Sequence, residues 1–177
     1  MISRENRVVI TGGPGTGKTS LLEAIKAPDR HVMVDTAREI IRARHAKGLS
    51  SRPDPEQFGW DMLKADIHNY RLVDALTGTA FFDRSILDTL CYLDELSELG
   101  GDVRDSCLES YPYQRKVFIL PPWQEIYTTD NERDQSFQEC LEVDRAVRAW
   151  YEALDYELVE IPRVAINARV QFLMGQL

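Results

Sequence analysis

The chain has 177 residues, which suits one domain and is long enough to bury a sizeable core. Its 21 basic and 29 acidic residues give a formal charge of −8, which weighs against a nucleic-acid partner; at 44% hydrophobic and 28% charged, the composition is that of an ordinary soluble globular protein. Cys91, Cys107 and Cys140 are widely spaced and odd in number, and His31, His45 and His68 lack metal-ligand spacing. That argues against a disulfide framework and a thiolate zinc site, and the cysteines are expected to be small apolar residues in helices.

No apolar run precedes the first strand, and no stretch approaches the roughly 20 residues that cross a bilayer. A cytoplasmic protein with no membrane partner is expected. No repeat, low-complexity tract or linker interrupts the chain, so residues 1–177 are read as one domain.

In chain order, Arg7-Val8-Val9-Ile10-Thr11 is a short apolar run that stops at Gly12, and it predicts a buried strand. A Gly-rich loop follows, then a short helix with Leu21, Leu22 and Ile25 on one face, ending near Pro28. Residues 31–34 read as a second strand closed by Asp35, and 36–46 as a helix that ends before Gly48. Pro53-Asp54-Pro55 opens a longer helix to about Leu76. Residues 79–82 form the third predicted strand, ended by Asp83. Residues 86–96 form a helix, broken by Gly100-Gly101. A fourth strand at 115–120 stops at Pro121-Pro122, and 121–134 is polar and loop-like. A long helix at 136–154, a fifth strand at 156–161 and a helix at about 164–174 complete the chain.

Short apolar strands alternating with helices predict an α/β fold, a parallel sheet covered on both faces. Ligands of such sheets bind beyond the carboxyl ends of the strands. Asp35, Asp83 and the Gly-rich loop all fall on that rim.

The loop reads Gly12-Gly13-Pro14-Gly15-Thr16-Gly17-Lys18-Thr19-Ser20 and meets the pattern G-x-x-x-x-G-K-[ST] between a strand and a helix. Glycines let successive backbone N–H groups converge on one anion, and the helix N-terminus adds partial positive charge. Lys18 supplies a point charge for the β and γ phosphates, and the Thr19 hydroxyl is a hard oxygen suited to Mg²⁺. A nucleoside triphosphate with Mg²⁺ is therefore the expected ligand. A second carboxylate is needed on the metal. Asp83 and Asp35 both end strands, with helix N-capping as the alternative role for each.

Four elements carry a resemblance that covers almost the whole chain: the phosphate loop, Asp35-x-x-Arg38-Glu39, Asp83-Arg84-Ser85 and Asp130-Asn131-x-Arg133. On these residues the chain resembles the kinase branch of P-loop NTPases, with its nucleoside, nucleotide and ribosylnicotinamide kinases. It also resembles a group of small single-domain AAA-type predicted ATPases. The resemblance implies a three-layer α/β/α fold with a five-stranded parallel sheet in the order 2-3-1-4-5. It implies Asp83 beside Thr19 at the metal, and Asp35, Arg38, Glu39 and Arg84 at the acceptor substrate. It further implies Asp35 as general base with Glu39 as fallback, Arg84 and Arg133 as cations on the transferring phosphoryl group, and a lid-like segment at about 121–135. By fold position Arg163, just after the fifth strand, falls where this branch holds the adenine ring. The chain departs from the pattern in lacking an Arg-x-x-x-Arg lid, and it is too short for the second helical domain of ring-forming AAA ATPases.

Other residues leave two readings open. Segment 35–52 has an excess of three positive charges, and Arg38, Arg42 and His45 share a helix face, so it is either a dock for an acidic acceptor or a solvated face. Trp60 and Tyr70 are core residues or stacking residues for a base, and Trp123 lies at the rim. The leading expectation is a phosphotransferase that moves the γ-phosphoryl of ATP to a hydroxyl of a small molecule: a nucleoside, a nucleotide or a related metabolite. The alternatives are a stand-alone ATPase that regulates a partner, and a nucleotide-binding module acting on nucleic acid. No Asn-Lys-x-Asp for guanine is present.

Overall fold

Every residue of Arg7–Thr11 (β1) is buried, as the apolar run requires of a central strand. The computed structural model describes residues 3–50, 53–127 and 135–177. β1 pairs in parallel with Thr79–Asp83 (β3) on one side and Lys116–Ile119 (β4) on the other. Arg30–Met33 (β2) and Glu157–Glu160 (β5) form the edges, giving the order β2-β3-β1-β4-β5 expected from the resemblance. The edge strands are only partly buried, and β5 exposes Glu157 and Glu160.

Alternation along the strands divides the core in two. Val8, Ile10, Phe81 and Phe118 face Lys18–Ile25 (α1) and Ile166–Met174 (α7). Val9, Phe82, Val117 and Ile119 face the opposite layer. That layer contains Pro55–Leu72 (α3), Ile86–Glu95 (α4) and Phe137–Ala153 (α6), and α3 also packs against Thr36–Ala46 (α2). Tyr113 and Tyr151 are fully buried within it. Tyr70 is also core, packed edge-on against Tyr113 with its OH donating to Pro112 O at 2.8 Å, and Trp60 packs on the same cluster. The core reading therefore holds for both.

Two local expectations needed correction. Gly100-Gly101 does not simply end a helix: it opens a further one, Gly101–Ser110 (α5, with the numbering α1–α7 running in chain order). α5 buries only Cys107 and has no side-chain cap, so it lacks the apolar periodicity that would reveal it. The long third helix stops at Leu72 and tightens into a 3₁₀ turn at Val73–Ala75. All three cysteines lie buried in helices, as expected.

Candidate nucleotide site

The phosphate loop joins β1 to α1 at the carboxyl rim of the sheet. Gly12 has φ +131°, and a Cβ there would sit 2.4 Å from Leu120 O, so the chain can leave β1 past the end of β4 only as glycine. Lys18 is buried, and its Nζ donates to Gly12 O at 2.9 Å and Gly13 O at 2.8 Å. Thr16 Oγ1 donates to Gly13 O at 3.0 Å. Gly17 is the N-cap of α1, and among the described residues no side chain caps the helix, which suits its first N–H groups to an anion. The segment after β4 lies across the loop, with Tyr127 against Gly15 and Ile126 beside Gly17. Cys140 of α6 packs against Gly13.

Asp83 ends β3, in register with Ile10 of β1. It is not a helix cap. Ser85 takes that role for α4, in a capping box with Asp88. The Asp83 carboxyl is buried, and Oδ1 has no hydrogen-bond partner among the described residues. Burial pushes this carboxyl up to about 6, against the pull of Lys18, Arg84 and Arg38. A desolvated, under-coordinated hard oxygen beside the phosphate loop fits a Mg²⁺ site. Among the described residues no group of three or more His, Cys, Asp or Glu could hold a metal ion.

Arg84 adopts φ +68°, a left-handed backbone that non-glycine residues seldom take, and its N–H donates to Ile10 O at 3.0 Å. Its guanidinium lies between two carboxylates, with Nε 3.7 Å from Asp35 Oδ2 and Nη1 3.8 Å from Asp88 Oδ1. Asp35 does cap α2, accepting from Ala37 N at 3.0 Å, while its other oxygen faces Arg84. Arg38 lines the phosphate-loop cavity; Glu39, Arg42 and His45 are exposed.

Two acids that the sequence did not single out hold this rim together. Asp88 accepts from Thr11 Oγ1, Ser85 N, Ser85 Oγ and Tyr151 OH. Asp66 of α3 accepts from Thr36 Oγ1 at 2.8 Å and Thr89 Oγ1 at 2.6 Å, tying α2 to α4. Burial raises the Asp66 carboxyl to about 7; the two threonine bonds oppose this, and Asp35 and Asp88 add to it. Asp66 stands in no recognisable motif, whereas Ser85-x-x-Asp88 has the spacing of a capping box.

The Asp66 shift predicts a pH dependence of stability. An unfolded Asp titrates near ~3.9, so between there and about 7 the folded chain holds a proton that the unfolded chain has lost. The contribution is complete below the unfolded value and is lost as pH rises through about 7. Asp83 slopes the same way up to about 6. Urea unfolding at pH 5, 6, 7 and 8 is expected to show stability falling across this range. Asp66→Asn should make the fall shallower below about 6, where Asp83 still contributes, and abolish it between about 6 and 7. An unchanged slope in the variant would refute the assignment.

Arg163 falls outside the phosphate-loop cavity. It is exposed and lines a separate cavity of about 590 Å³ with Trp123, Asp144, Arg145 and Arg148. The residue that reaches the loop from this end of the chain is Arg169, one helical stretch further on. The phosphate-loop cavity, about 330 Å³, is lined by residues 15–20, Arg38, Ile126, Ile166 and Arg169. Arg133 and the Asp130-Asn131 motif, in the segment expected to be lid-like, lie outside the described residues.

The 2-3-1-4-5 parallel sheet, with this loop at the tip of its central strand, defines a P-loop NTPase fold of the kinase branch. A family model described as AAA domain matches residues 7–169, and the chain belongs to that family. No curated protein matches it by sequence. The fold is similar to that of deoxyadenosine kinase from M. mycoides with bound dATP (TM-score 0.64, 11% identity, 96% of this chain and 97% of that one). It is also similar to thymidylate kinase from Candida albicans (TM-score 0.60, 14% identity, 98% and 91%). NadR protein in complex with NR aligns at TM-score 0.64 and 17% identity over 97% of this chain, which spans 49% of that protein. Among the described residues no helix is long and apolar enough to cross a membrane.

Proposed function

We propose that the protein is a Mg²⁺-dependent phosphotransferase of the cytoplasm that moves the γ-phosphoryl of ATP to a hydroxyl of a small molecule, a nucleoside, nucleotide or related metabolite. One observation carries the reading. Asp35, the carboxylate on the acceptor side, meets Arg84 at 3.7 Å on the same rim as Lys18 and Asp83.

The backbone of residues 12–20 and Lys18 bind the triphosphate. Thr19 and Asp83 would hold Mg²⁺, which neutralises charge on the β and γ oxygens when bound. Arg38 and Arg84 lie at the acceptor side, with Glu39 further out on the exposed face of α2. The Arg84 ion pair fixes the Asp35 carboxylate where it can take the acceptor's hydroxyl proton. The acceptor oxygen then bonds to the γ phosphorus as the bridge to the β phosphate breaks, and ADP leaves. Arg84, with Arg133 from the lid-like segment, stabilises charge on the transferring group.

ADP release measured against a panel of nucleosides, nucleotides and vitamins tests this. At least one acceptor is expected to raise turnover well above slow hydrolysis. Asp35→Asn should lower that stimulated rate by about 100-fold, within the range for loss of a general base, and spare basal hydrolysis. If no acceptor stimulates and Asp35→Asn changes nothing, the protein is instead a stand-alone ATPase.

A further inference from the structure

Arg169 is a charged residue with 6% exposure on a helix otherwise used for packing. Among the described residues no carboxylate pairs with it. Its Nε donates to Val164 O at 2.7 Å, and its guanidinium lies over the Trp123 ring, 4.6 Å from the centroid. Burying a guanidinium without a counter-charge is unfavourable, and the cation–π contact offsets only part of that. Burial accordingly lowers the pKa of Arg169 from its ordinary value. A buried cation of this kind calls for an anionic partner.

The guanidinium borders the phosphate-loop cavity. A Cβ at Gly17 would fall 3.0 Å from Arg169 Nη1, so the guanidinium covers the last loop residue before α1. Lys18 Nζ holds the other end of the loop, at Gly12 and Gly13. The cavity between is lined by three cations, Lys18, Arg38 and Arg169, and by no carboxylate among the described residues. Ile126 and Ile166 line it beside Arg169, which makes that end apolar enough for a nucleoside.

We propose that Arg169, seated on Trp123, is a nucleotide-binding residue that grips the α-phosphate of the bound triphosphate, at the opposite end of the loop from the Lys18 ammonium. This rests on the nucleotide reading above and deepens it. The contact lies at the non-reacting end of the triphosphate, so Arg169 supplies affinity, and Trp123 is its positioning residue.

Calorimetry with Mg·ATP and Mg·pyrophosphate as separate probes tests it. Pyrophosphate keeps the Lys18 contacts and lacks the end that Arg169 is assigned to hold. Arg169→Gln is expected to weaken Mg·ATP about tenfold or more and Mg·pyrophosphate by no more than about threefold, as a lost charge-assisted hydrogen bond would. Arg169→Lys should fall between wild type and Arg169→Gln, and it carries the test if the glutamine variant does not fold. Trp123 emission should change on adding Mg·ATP, a change missing in Trp123→Phe. Wild-type affinity in Arg169→Gln, or equal losses for both probes, would overturn the proposal. A wild-type protein that binds neither probe would instead refute the phosphate loop itself.

Discussion

Replacing Lys18 by alanine is expected to lower triphosphate turnover by about 100-fold or more while leaving the fold in place. The ammonium is buried and held by two loop carbonyls, and the proposed function assigns it to the β and γ phosphates. Its two hydrogen bonds to Gly12 O and Gly13 O are each worth about 1.5–3 kcal/mol as bonds to a charged group, but Gly13 O keeps its bond from Thr16 Oγ1, so only Gly12 O loses its side-chain donor. The stability loss should therefore be small beside the loss of function. No neutral side chain can replace a fixed cation facing charge that accumulates on the phosphoryl oxygens. ADP release and Mg·ATP affinity, measured with a thermal melt of the same preparation, check this. Turnover within about threefold of wild type would exclude Lys18 from the chemistry.

The largest stability effect is expected at Asp88. Its carboxylate, with 4% of the side chain exposed, receives Thr11 from the strand that leads into the phosphate loop and Tyr151 from α6. It also closes the α4 capping box and faces Arg84 at 3.8 Å. Asp88→Ala strips acceptors from buried hydroxyls and leaves the guanidinium with less compensation, which costs about 3–5 kcal/mol by analogy with removing one member of a buried pair. Asp88→Asn keeps the shape and one acceptor oxygen and should lose less. Denaturant unfolding of both variants checks the order, and a loss under about 1 kcal/mol for Asp88→Ala would show that the network is incidental. Because Thr11 and Arg84 border the site, activity should fall with stability.

The parts of this structure that were legible in the sequence are those with a local signature. The phosphate loop announces itself by spacing, and the buried strands by short apolar runs such as Val8-Val9-Ile10. The helix at Thr36–Ala46 has the residue bounds read from the sequence. The sheet order came from the resemblance carried by the loop and the Asp83-Arg84-Ser85 step, because periodicity says nothing about which strands are neighbours.

The parts that stayed hidden depend on tertiary contacts. The exception is the capping box of Ser85 with Asp88, which is local and answers the alternative that Asp83 caps a helix. Asp66 sits at an unmarked position of a long helix and meets Thr36 and Thr89 only after α2 and α4 have packed. Arg163 was expected near the adenine by fold position, and it lines the cavity beside Trp123. The first turns of the last helix set which arginine reaches the loop, and that residue is Arg169. The positive φ of Arg84 has no sequence signature, since neither neighbour is glycine.

The most direct measurement follows the γ phosphorus itself. Phosphorus NMR of the protein with Mg·ATP and a stimulating hydroxyl compound should show a new phosphomonoester resonance growing in step with ADP. Inorganic phosphate as the sole phosphorus product beside ADP, whichever hydroxyl compound is supplied, would contradict a phosphotransferase.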